Sequence, residues 1–227
     1  MKKAIVLSSG GVDSTTCVGV AVNDLGAENV ITVSVYYGQR HKKELDAARS
    51  IASYYNVEHY ELDLSTIMEY SDCSLLSHST KDIQHGSYAE QIEKNGKVET
   101  YVPFRNGLML SAVAAMAIGM FPDDEIDIYL GAHSDDAAGN AYADCSKEFT
   151  DAIGTAISVG TYNQVHLKTP FVNMHKADVV RIGLELNVPY NLTWSCYEGE
   201  DKPCGKCGTC IDRAAAFALN GIKDPAL

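Results

Sequence analysis

Short apolar runs alternate along the chain with longer segments in which apolar residues recur every three or four positions. Residues 4–7 and 30–36 are nearly continuous apolar runs, and residues 14–25 between them have the longer spacing. Continuous runs are typical of strands buried on both faces, and a spacing of 3.6 residues is typical of helices. The pattern therefore predicts a strand, a helix and a second strand at the start of the chain.

The same alternation continues toward the C-terminus. It predicts further strands at 58–62, 126–131 and 165–169, and further helices at 41–55, 106–119, 146–159, 175–186 and 208–219. Strands that alternate with helices form parallel βαβ units, in which helices cover both faces of the sheet. No linker-like stretch divides the chain, so we predict one Rossmann-like α/β domain over residues 1–227.

Two segments interrupt this alternation. Residues 71–99 are polar and have no sustained period, and a stretch of this length is commonly functional or disordered. A mobile lid over a site and an incidental surface insertion both remain open interpretations. The second segment, residues 191–220, holds four of the seven cysteines together with the last predicted helix.

Composition limits the partners and the location that we expect. Lys and Arg total 18 against 30 for Asp and Glu, which leaves a formal net charge of −12. Surfaces that bind nucleic acid or anionic membranes use clustered cations, so we expect neither partner. The first apolar run is too short for a signal peptide or a membrane span, which favours a cytoplasmic protein. Seven cysteines, an odd number, suggest thiols or metal ligands rather than a disulfide framework.

A loop rich in glycine and serine follows the first predicted strand. Its residues are Ser8, Ser9, Gly10, Gly11, Val12, Asp13 and Ser14. Glycines bring backbone amides close to an anion, and the start of the next helix supplies free N–H groups. The loop lacks both the Walker A ending and the GxGxxG spacing, so it predicts a different kind of phosphate site. The structural alternative is a turn in which Asp13 or Ser14 caps the helix.

Four cysteines near the C-terminus have the spacing C-x7-C-x2-C-x2-C. They are Cys196, Cys204, Cys207 and Cys210. Four thiolates suit a tetrahedral zinc ion with no open position, which is typical of a structural site. An iron–sulfur cluster and a redox-active CxxC pair are the competing interpretations. Of the other three cysteines, Cys17 fits the buried face of the first predicted helix.

The glycine loop matches the SGGxDS motif of the PP-loop ATP pyrophosphatases, whose fold is adenine nucleotide alpha-hydrolase-like. Three further stretches, 39–41, 102–106 and 193–197, occur in an order that, with the loop and the cysteines, resembles the 7-cyano-7-deazaguanine synthase family of queuosine-precursor biosynthesis. The match runs along nearly the whole chain. One stretch, 133–145, departs from the family pattern, because Ala143 replaces a proline before Asp144 and Cys145.

The resemblance implies an ATP-dependent carbon–nitrogen ligase. Its expected reaction converts 7-carboxy-7-deazaguanine and ammonia to 7-cyano-7-deazaguanine through an adenylated acid and an amide. It also implies a magnesium ion between the phosphates, with Asp13 as a candidate partner, a structural zinc ion and a homodimer. No protein nucleophile is required.

The resemblance further implies roles for individual residues. Those expected in catalysis are Asp13, Ser14, Arg105 and Lys176. ATP is expected on residues 8–14, on Tyr36, where the adenine would pack, and on Lys176. The substrate is expected to contact Gln39, Arg40, Phe104, Arg105, Asp135, Tyr142 and Asp144.

A guanine-like base requires a carboxylate to accept its N–H groups and an aromatic face. Asp135, Asp136 and Asp144 are candidates for the first role, and Phe104, Tyr142 and Phe149 for the second. Several of the candidate residues also have a purely structural interpretation. Lys176 could be a surface lysine, Arg105 a structural ion pair, Asn106 a helix cap, and Asp135-Asp136 a solvated turn. His133 could deprotonate ammonium or be a loop histidine with satisfied hydrogen bonds.

Four other functions remain open interpretations of the sequence. A tRNA-thiolating PP-loop enzyme would need a basic RNA path, which the charge disfavours. A glutamine-dependent synthetase would need a glutaminase domain, for which the length leaves no room. A diverged relative could stop at the amide or form an adduct with another amine. A zinc-binding interaction module would leave the glycine loop unexplained.

Overall fold

The computed structural model describes residues 1–86, 90–91, 93, 98–137, 141–199 and 201–226. Five strands form its sheet: β1 (Lys2–Leu7), β2 (Val30–Tyr36), β3 (Glu58–Asp63), β4 (Glu125–Tyr129) and β5 (Val165–Lys168). All neighbouring strands are parallel, in the order β3-β2-β1-β4-β5. In the register of the central strand, Ile5 lies opposite Ile31 on one side and Ile128 on the other.

Helices follow the strands in sequence. They are α1 (Val12–Leu25), α2 (Lys43–Tyr55), α3 (Ser65–Met68), α4 (Arg105–Met120), α5 (Ser134–Ala137), α6 (Lys147–Gly160), α7 (Lys176–Glu185) and α8 (Gly208–Leu219). Short 3-10 helices occur at Ala27–Asn29, Ala143–Cys145 and Tyr190–Leu192. The predicted α/β class and parallel sheet are confirmed. The short helices α3 and α5 were not predicted, because one turn is too short to have a hydrophobic period.

Alternating side chains of the sheet form two cores. Ile5 and Ile128 pack on one face with Leu110 and Val113 of α4. Val6 packs on the other face, in a cluster that includes α1, α2 and α7. Cys17 belongs to this second core and is fully buried, as predicted. Burial on both faces explains why β1 is an unbroken apolar run rather than an alternating one.

The strand order places a crevice between β1 and β4. The chain proceeds from β1 to β2 and β3 on one side, and β4 and β5 extend the sheet on the other. Connections that leave adjacent strands in opposite directions open a crevice at the carboxyl ends, where open α/β sheets bind ligands. The loop after Leu7 and the loop after Tyr129 meet at this point.

The described part of residues 71–99 packs against the cysteine segment. Leu76 is fully buried, and it shares a cluster with Ile83, Cys196 and Cys207. The backbone N–H of Gly86 donates to the carbonyl oxygen of Lys206 at 3.2 Å. Residues 87–89, 92 and 94–97 lie outside the described residues, so a lid here stays a prediction. Within the described ranges, no helix is long and apolar enough to cross a membrane.

Candidate active site

A cavity of about 820 Å³ lies at the carboxyl ends of β1 and β4. Its walls include the loop after β1, the residues after β4, the first turns of α2, α4 and α7, residues 194–197 and one side of α8. Volumes of about 300–1,000 Å³ are usual for small-molecule sites. The fold therefore brings the predicted phosphate loop to the wall of a cavity large enough for a nucleotide.

The glycine loop is held tightly between two helices. Gly10 has a φ of +74°, and a Cβ at this position would lie 2.5 Å from the carbonyl oxygen of Glu44. Only glycine therefore allows α2 to pack directly on the loop. Ser14 Oγ accepts a hydrogen bond from the Ser9 N–H at 3.2 Å and donates to the Gly11 carbonyl at 3.3 Å.

The first turn of α1 has no side-chain cap. The N-cap residue is Gly11, so neither Asp13 nor Ser14 takes the capping role that the structural alternative required. The N–H groups at the start of a helix have no partner within the helix and favour anions. This arrangement can receive phosphate oxygens.

A cluster of four ionisable side chains lies beside the loop. Lys176 Nζ donates to Asp13 Oδ2 at 2.6 Å and lies 3.3 Å from His133 Nε2. The same histidine nitrogen is 3.6 Å from Asp13 Oδ2 and 3.4 Å from Asp136 Oδ2. The carboxylates of Asp13 and Asp136 and the basic side chains of Lys176 and His133 thus form one contiguous group.

Burial and charge act in opposite directions on these groups. Burial alone would raise the pKa of Asp13, but the charges of Lys176 and His133 outweigh it and lower that pKa strongly. Burial would lower the pKa of His133, but Asp13 reverses the effect and raises it. The pKa of Asp136 is raised, chiefly by burial.

Two buried atoms of this cluster lack a partner among the described residues. They are Asp13 Oδ1 and His133 Nδ1. Buried polar atoms in folded proteins are nearly always hydrogen bonded, so such atoms mark a place where a ligand, ion or water completes the site. Carboxylate oxygens are also the ligands that Mg²⁺ prefers, so the donor set fits this ion.

Asp135 holds Lys176 in position. Its Oδ2 accepts from the Lys176 backbone N–H at 2.8 Å, and its Oδ1 lies 2.6 Å from His175 Nδ1. The carboxylate thereby caps the N-terminus of α7. Gly131 brings the two strand ends together, since a Cβ there would lie 2.9 Å from the Asp13 carbonyl carbon.

The opposite part of the cavity wall contains Tyr37, Arg105 and Glu44. Arg105 lies 5.3 Å from the centre of the Tyr37 ring and donates from Nη1 to its hydroxyl at 3.3 Å. Burial raises the pKa of Glu44 to about 7, and the nearby Arg105 charge offsets only part of that effect. Gln39 fixes the end of β2, because its Oε1 accepts from the Tyr37 N–H at 2.8 Å.

Most of the expected site residues line this cavity. From the loop these are Ser8, Ser9, Gly11, Val12, Asp13 and Ser14. From elsewhere in the chain they are Gln39, Arg105, Asp135, Tyr142 and Lys176. Their individual roles toward ATP and substrate stay predictions.

Five expected residues do not line the cavity, namely Gly10, Tyr36, Arg40, Phe104 and Asp144. Side chains alternate along β2, so Val35 and Tyr37 face the cavity while Tyr36 does not. The Arg40 guanidinium donates to the carbonyl groups of Leu76, Ser79 and Lys81.

Phe104 and Asp144 support the cavity from outside. Phe104 packs edge-on against Phe149, with ring centres 5.8 Å apart. Asp144 Oδ2 accepts from the Asn106 N–H at 2.9 Å, which anchors the first turn of α4. Asn106 is thus a buried residue of that turn rather than its cap. Direct substrate contacts from these residues stay predictions.

Sequence reasoning did not identify Glu44 or Tyr37. Glu44 is one acidic residue among several on an amphipathic helix, and nothing in its local pattern distinguishes it. Tyr37 could have been chosen over Tyr36 from the alternation of side chains along a strand that ends in the site.

The four C-terminal cysteines converge, with their Sγ atoms all within 4.8 Å of one another. Cys196 Sγ accepts hydrogen bonds from the Gly199 N–H at 3.0 Å and the Cys204 N–H at 3.2 Å. A hydrogen bond from Cys210 lowers the pKa of Cys207 to about 5. This group of thiols could hold a metal ion, and backbone amides that donate to sulfur favour the thiolate form.

Comparisons with known proteins agree with this geometry. The family described as "Queuosine biosynthesis protein QueC" matches residues 3–221. A 7-cyano-7-deazaguanine synthase from Archaeoglobus fulgidus is 39% identical over 226 residues, which cover 99% of this chain and 90% of the relative. Another from Pseudoalteromonas atlantica is 40% identical over 225 residues, covering 99% and 98%.

Solved structures share the fold at low identity. An NMN synthetase from Francisella tularensis has a TM-score of 0.50 at 14% identity, covering 99% of this chain and 79% of the other. The U34-tRNA thiolase NcsA from Methanococcus maripaludis has a TM-score of 0.50 at 18% identity, covering 88% and 62%. These similarities support the PP-loop fold, whereas the curated relatives match at higher identity along almost the full length. The chain therefore belongs to the QueC family of queuosine biosynthesis proteins.

Proposed function

We propose that this protein is an ATP-dependent 7-cyano-7-deazaguanine synthase, which converts 7-carboxy-7-deazaguanine and ammonia to the nitrile. The observation that supports it most directly is the 2.6 Å ion pair between Lys176 and Asp13 of the glycine loop, at the wall of the cavity. Two relatives that bear this name are 39% and 40% identical along almost the whole chain. The net charge of −12 favours small-molecule substrates over nucleic acid.

In this proposal, the glycine loop and Lys176 bind the phosphates of ATP. The loop and the uncapped start of α1 offer backbone N–H groups, and Lys176 offers a positive charge beside the loop. Asp13 and Asp136 are the residues that would hold magnesium, which would neutralise phosphate charge and orient the α-phosphate. Asp135 keeps the Lys176 backbone in place through its bond to the N–H.

The chemistry consists of two dehydrations, each driven by one ATP. A substrate carboxylate oxygen attacks the α-phosphorus and pyrophosphate leaves, which gives an acyl-adenylate. Ammonia adds to the acyl carbon and loses a proton, and AMP leaves with the former carboxylate oxygen to give the amide. The amide oxygen then attacks the α-phosphorus of a second ATP and pyrophosphate leaves. Loss of AMP with the former amide oxygen, and of the two N–H protons, gives the nitrile.

Catalysis here depends on positioning and on charge stabilisation rather than on a protein nucleophile. Cys145 illustrates the point, because it lines the cavity and could have served as one. Burial raises the pKa of its thiol, and this effect outweighs the hydrogen bond that the Asn106 side chain donates to its sulfur at 3.2 Å, which acts in the opposite direction. The thiol therefore stays protonated and unreactive at neutral pH.

We also propose that the four C-terminal cysteines bind a structural zinc ion. A tetrahedral ion with Zn–S bonds of about 2.3 Å has sulfur–sulfur separations of about 3.8 Å, which fits sulfurs that all lie within 4.8 Å. Four protein ligands leave no open position for substrate. Zinc here would stabilise the fold rather than take part in the chemistry.

The decisive experiment incubates purified protein with 7-carboxy-7-deazaguanine, ammonium, magnesium and ATP. We expect the nitrile by mass spectrometry, with two AMP released for each nitrile formed. A parallel incubation without ammonium should give no nitrile. Accumulation of the amide, or of an adduct with another amine, would instead support a diverged relative, and AMP release without any of these products would contradict the proposal.

A further inference from the structure

A guanine-like base presents a distinctive edge to a binding site. Its C6 carbonyl is a hydrogen-bond acceptor, and the adjacent N1–H and exocyclic amine are donors. A protein that reads this edge therefore needs a donor beside a carboxylate. The two groups must also stay apart, because a direct ion pair between them would close the space that the base occupies.

Three aspartates near the cavity are engaged in other contacts. Both Asp135 oxygens contact the start of α7, through Lys176 N and His175 Nδ1. Asp144 holds the Asn106 N–H and does not line the cavity. Asp136 lies 3.4 Å from His133 in the ionic cluster beside the phosphate loop.

Glu44 differs from these aspartates. It lies in the first turn of α2 and lines the cavity. Among the described residues, its carboxyl has no hydrogen bond and no ion pair. Burying a carboxyl without such a partner costs free energy, which is the reason that burial raises its pKa to about 7. Glu44 is half-buried at the cavity wall, and an acceptor without a protein partner at such a place is available to a ligand.

A donor lies on the same wall. Arg105 is near enough to act on Glu44 electrostatically, yet no carboxylate in the described part of the chain approaches its guanidinium within 4.0 Å. Its bond to the Tyr37 hydroxyl and its position over the Tyr37 ring hold it away from Glu44. A guanidinium has five N–H donors, and only one has a protein partner in the described residues.

We propose that Glu44 and Arg105 together read the guanine-type edge of the substrate. Glu44 accepts hydrogen bonds from N1–H and the exocyclic amine, and Arg105 donates to the C6 carbonyl. Glu44 is thereby a specificity-determining residue for the base. This inference rests on the proposed function, since it names the group that selects the substrate of that reaction.

The test compares two substrates, 7-carboxy-7-deazaguanine and the analogue without the exocyclic amine. The wild-type enzyme should prefer the first by about 10²-fold in kcat/KM, because the analogue leaves one carboxylate oxygen unpaired. Glu44→Gln places an N–H₂ donor against the amine, so we expect this preference to fall to about threefold or less. The KM for ATP should stay unchanged, because among the described residues the Glu44 side chain makes no hydrogen bond or ion pair with the glycine loop.

Two further variants complete the design. Glu44→Asp keeps the carboxylate and should retain the preference for the amine, with a higher KM for the base. Glu58→Gln makes the same chemical change on β3, at an exposed residue, and should behave as wild type. Calorimetry can also measure the affinity of the wild-type protein for each of the two bases, without any substitution. Equal affinities would overturn the inference.

Failure of this inference can be told apart from failure of the proposed function. If the wild-type protein forms neither nitrile nor AMP from the acid, the proposed function fails. If it forms nitrile and Glu44→Gln keeps the full preference for the amine, the function stands and the base-reading role is wrong. An equal loss of kcat on both substrates would likewise overturn the role, since it would place Glu44 in the chemistry.

Discussion

The backbone N–H of Trp194 donates a hydrogen bond to the carbonyl oxygen of Gly10 at 2.8 Å. This contact joins the phosphate loop to the segment that leads into the first cysteine of the metal-binding group. The carbonyl oxygen of Trp194 would lie 3.7 Å from a Cβ on Gly11, so the two segments pack closely. The segment that leads to the cysteine cluster is therefore packed against the glycine loop, where we propose that ATP binds.

Removal of the metal should weaken ATP binding. Without an ion, no metal–sulfur bonds hold the four cysteines together. The segment ahead of them is then less firmly held against the glycine loop. We expect metal-free protein to bind ATP about tenfold more weakly, the equivalent of one or two hydrogen bonds, and to unfold at a lower temperature. Elemental analysis before chelation should give one zinc per chain.

The control for this experiment is restoration of zinc after chelation, with magnesium held constant. Restored ATP affinity would assign the effect to the cysteine cluster. Metal-free protein that retains its circular dichroism spectrum and its full ATP affinity would refute the connection between the two sites.

Replacement of Lys176 by methionine should abolish AMP formation. The substitution removes the positive charge that we assign to the phosphates, and loss of one such stabilising group typically costs about 10²–10³ in kcat. It also leaves the buried Asp13 without its ion-pair partner. Pyrophosphate release measures the loss, and Lys176→Arg, which keeps the charge, should retain more activity than Lys176→Met. Equal activity of all three proteins would remove Lys176 from the mechanism.

The Asp13–Lys176 ion pair should stabilise the fold in a pH-dependent way. The pKa of Asp13 is lowered in the folded protein, so its contribution is present above the ordinary value of 3.8 and is lost as the pH falls toward the folded pKa. We expect Asp13→Asn to lower the free energy of unfolding by about 3 kcal/mol at neutral pH, because it leaves the positive charge of Lys176 without an ion-pair partner. Urea titrations should show this difference narrowing below pH 4.

Two outcomes would contradict the predicted contribution of the Asp13–Lys176 ion pair to stability. If wild type and Asp13→Asn have the same stability at pH 7, the ion pair does not contribute to the fold. A difference that grows rather than narrows on acidification would reverse the sign expected from the lowered pKa.

Gly10→Ala should disrupt the phosphate loop. The residue has a φ of +74°, and its new Cβ would lie 2.5 Å from the Glu44 carbonyl oxygen and 2.7 Å from the Ala48 nitrogen. Positive φ and overpacking against backbone each cost about 1–3 kcal/mol, so we expect a marked fall in melting temperature and loss of ATP binding.

Gly119→Ala is the matched control for that substitution. Gly119 lies in α4, and its Cβ would meet no atom within 4 Å. Alanine is a better helix former than glycine by about 1 kcal/mol, so this variant should be as stable as wild type or more stable. A thermal melt of both variants tests the comparison, and similar melting temperatures for the two would contradict the packing that we describe.

Local sequence patterns were sufficient to predict most of the fold. The strand at 30–36 and the helix at 208–219 were predicted with the bounds that the structure has, because burial on a sheet or on one helix face leaves a regular period. The turn at Gly10 and the cysteine spacing were equally recognisable, since glycine and cysteine have few substitutes in those roles. The short helix Ser134–Ala137 left no comparable pattern.

The candidate site residues also fall into two groups, those identified by a local motif and those whose contacts only the tertiary structure shows. Asp13 and Ser14 belong to a contiguous motif, and their neighbours in the chain identify them. Asp135 was expected at the substrate, which stays a prediction. The structure adds that its carboxylate contacts the start of α7, about 40 residues later in the chain. No local pattern could reveal that pairing, because it depends on where two loops meet in space.

By itself, the sequence determined the order of strands and helices, the phosphate loop and the set of four cysteines. These features depend on neighbours within about a dozen residues, through backbone conformation and the period of burial. Only the tertiary structure decided which distant side chains meet. Asp13 and Lys176 are 163 residues apart and become partners because parallel strands end at one edge of the sheet. The raised pKa values of Glu44 and His133 also depend on the tertiary structure, since burial and facing charges shift a pKa only when the chain is folded.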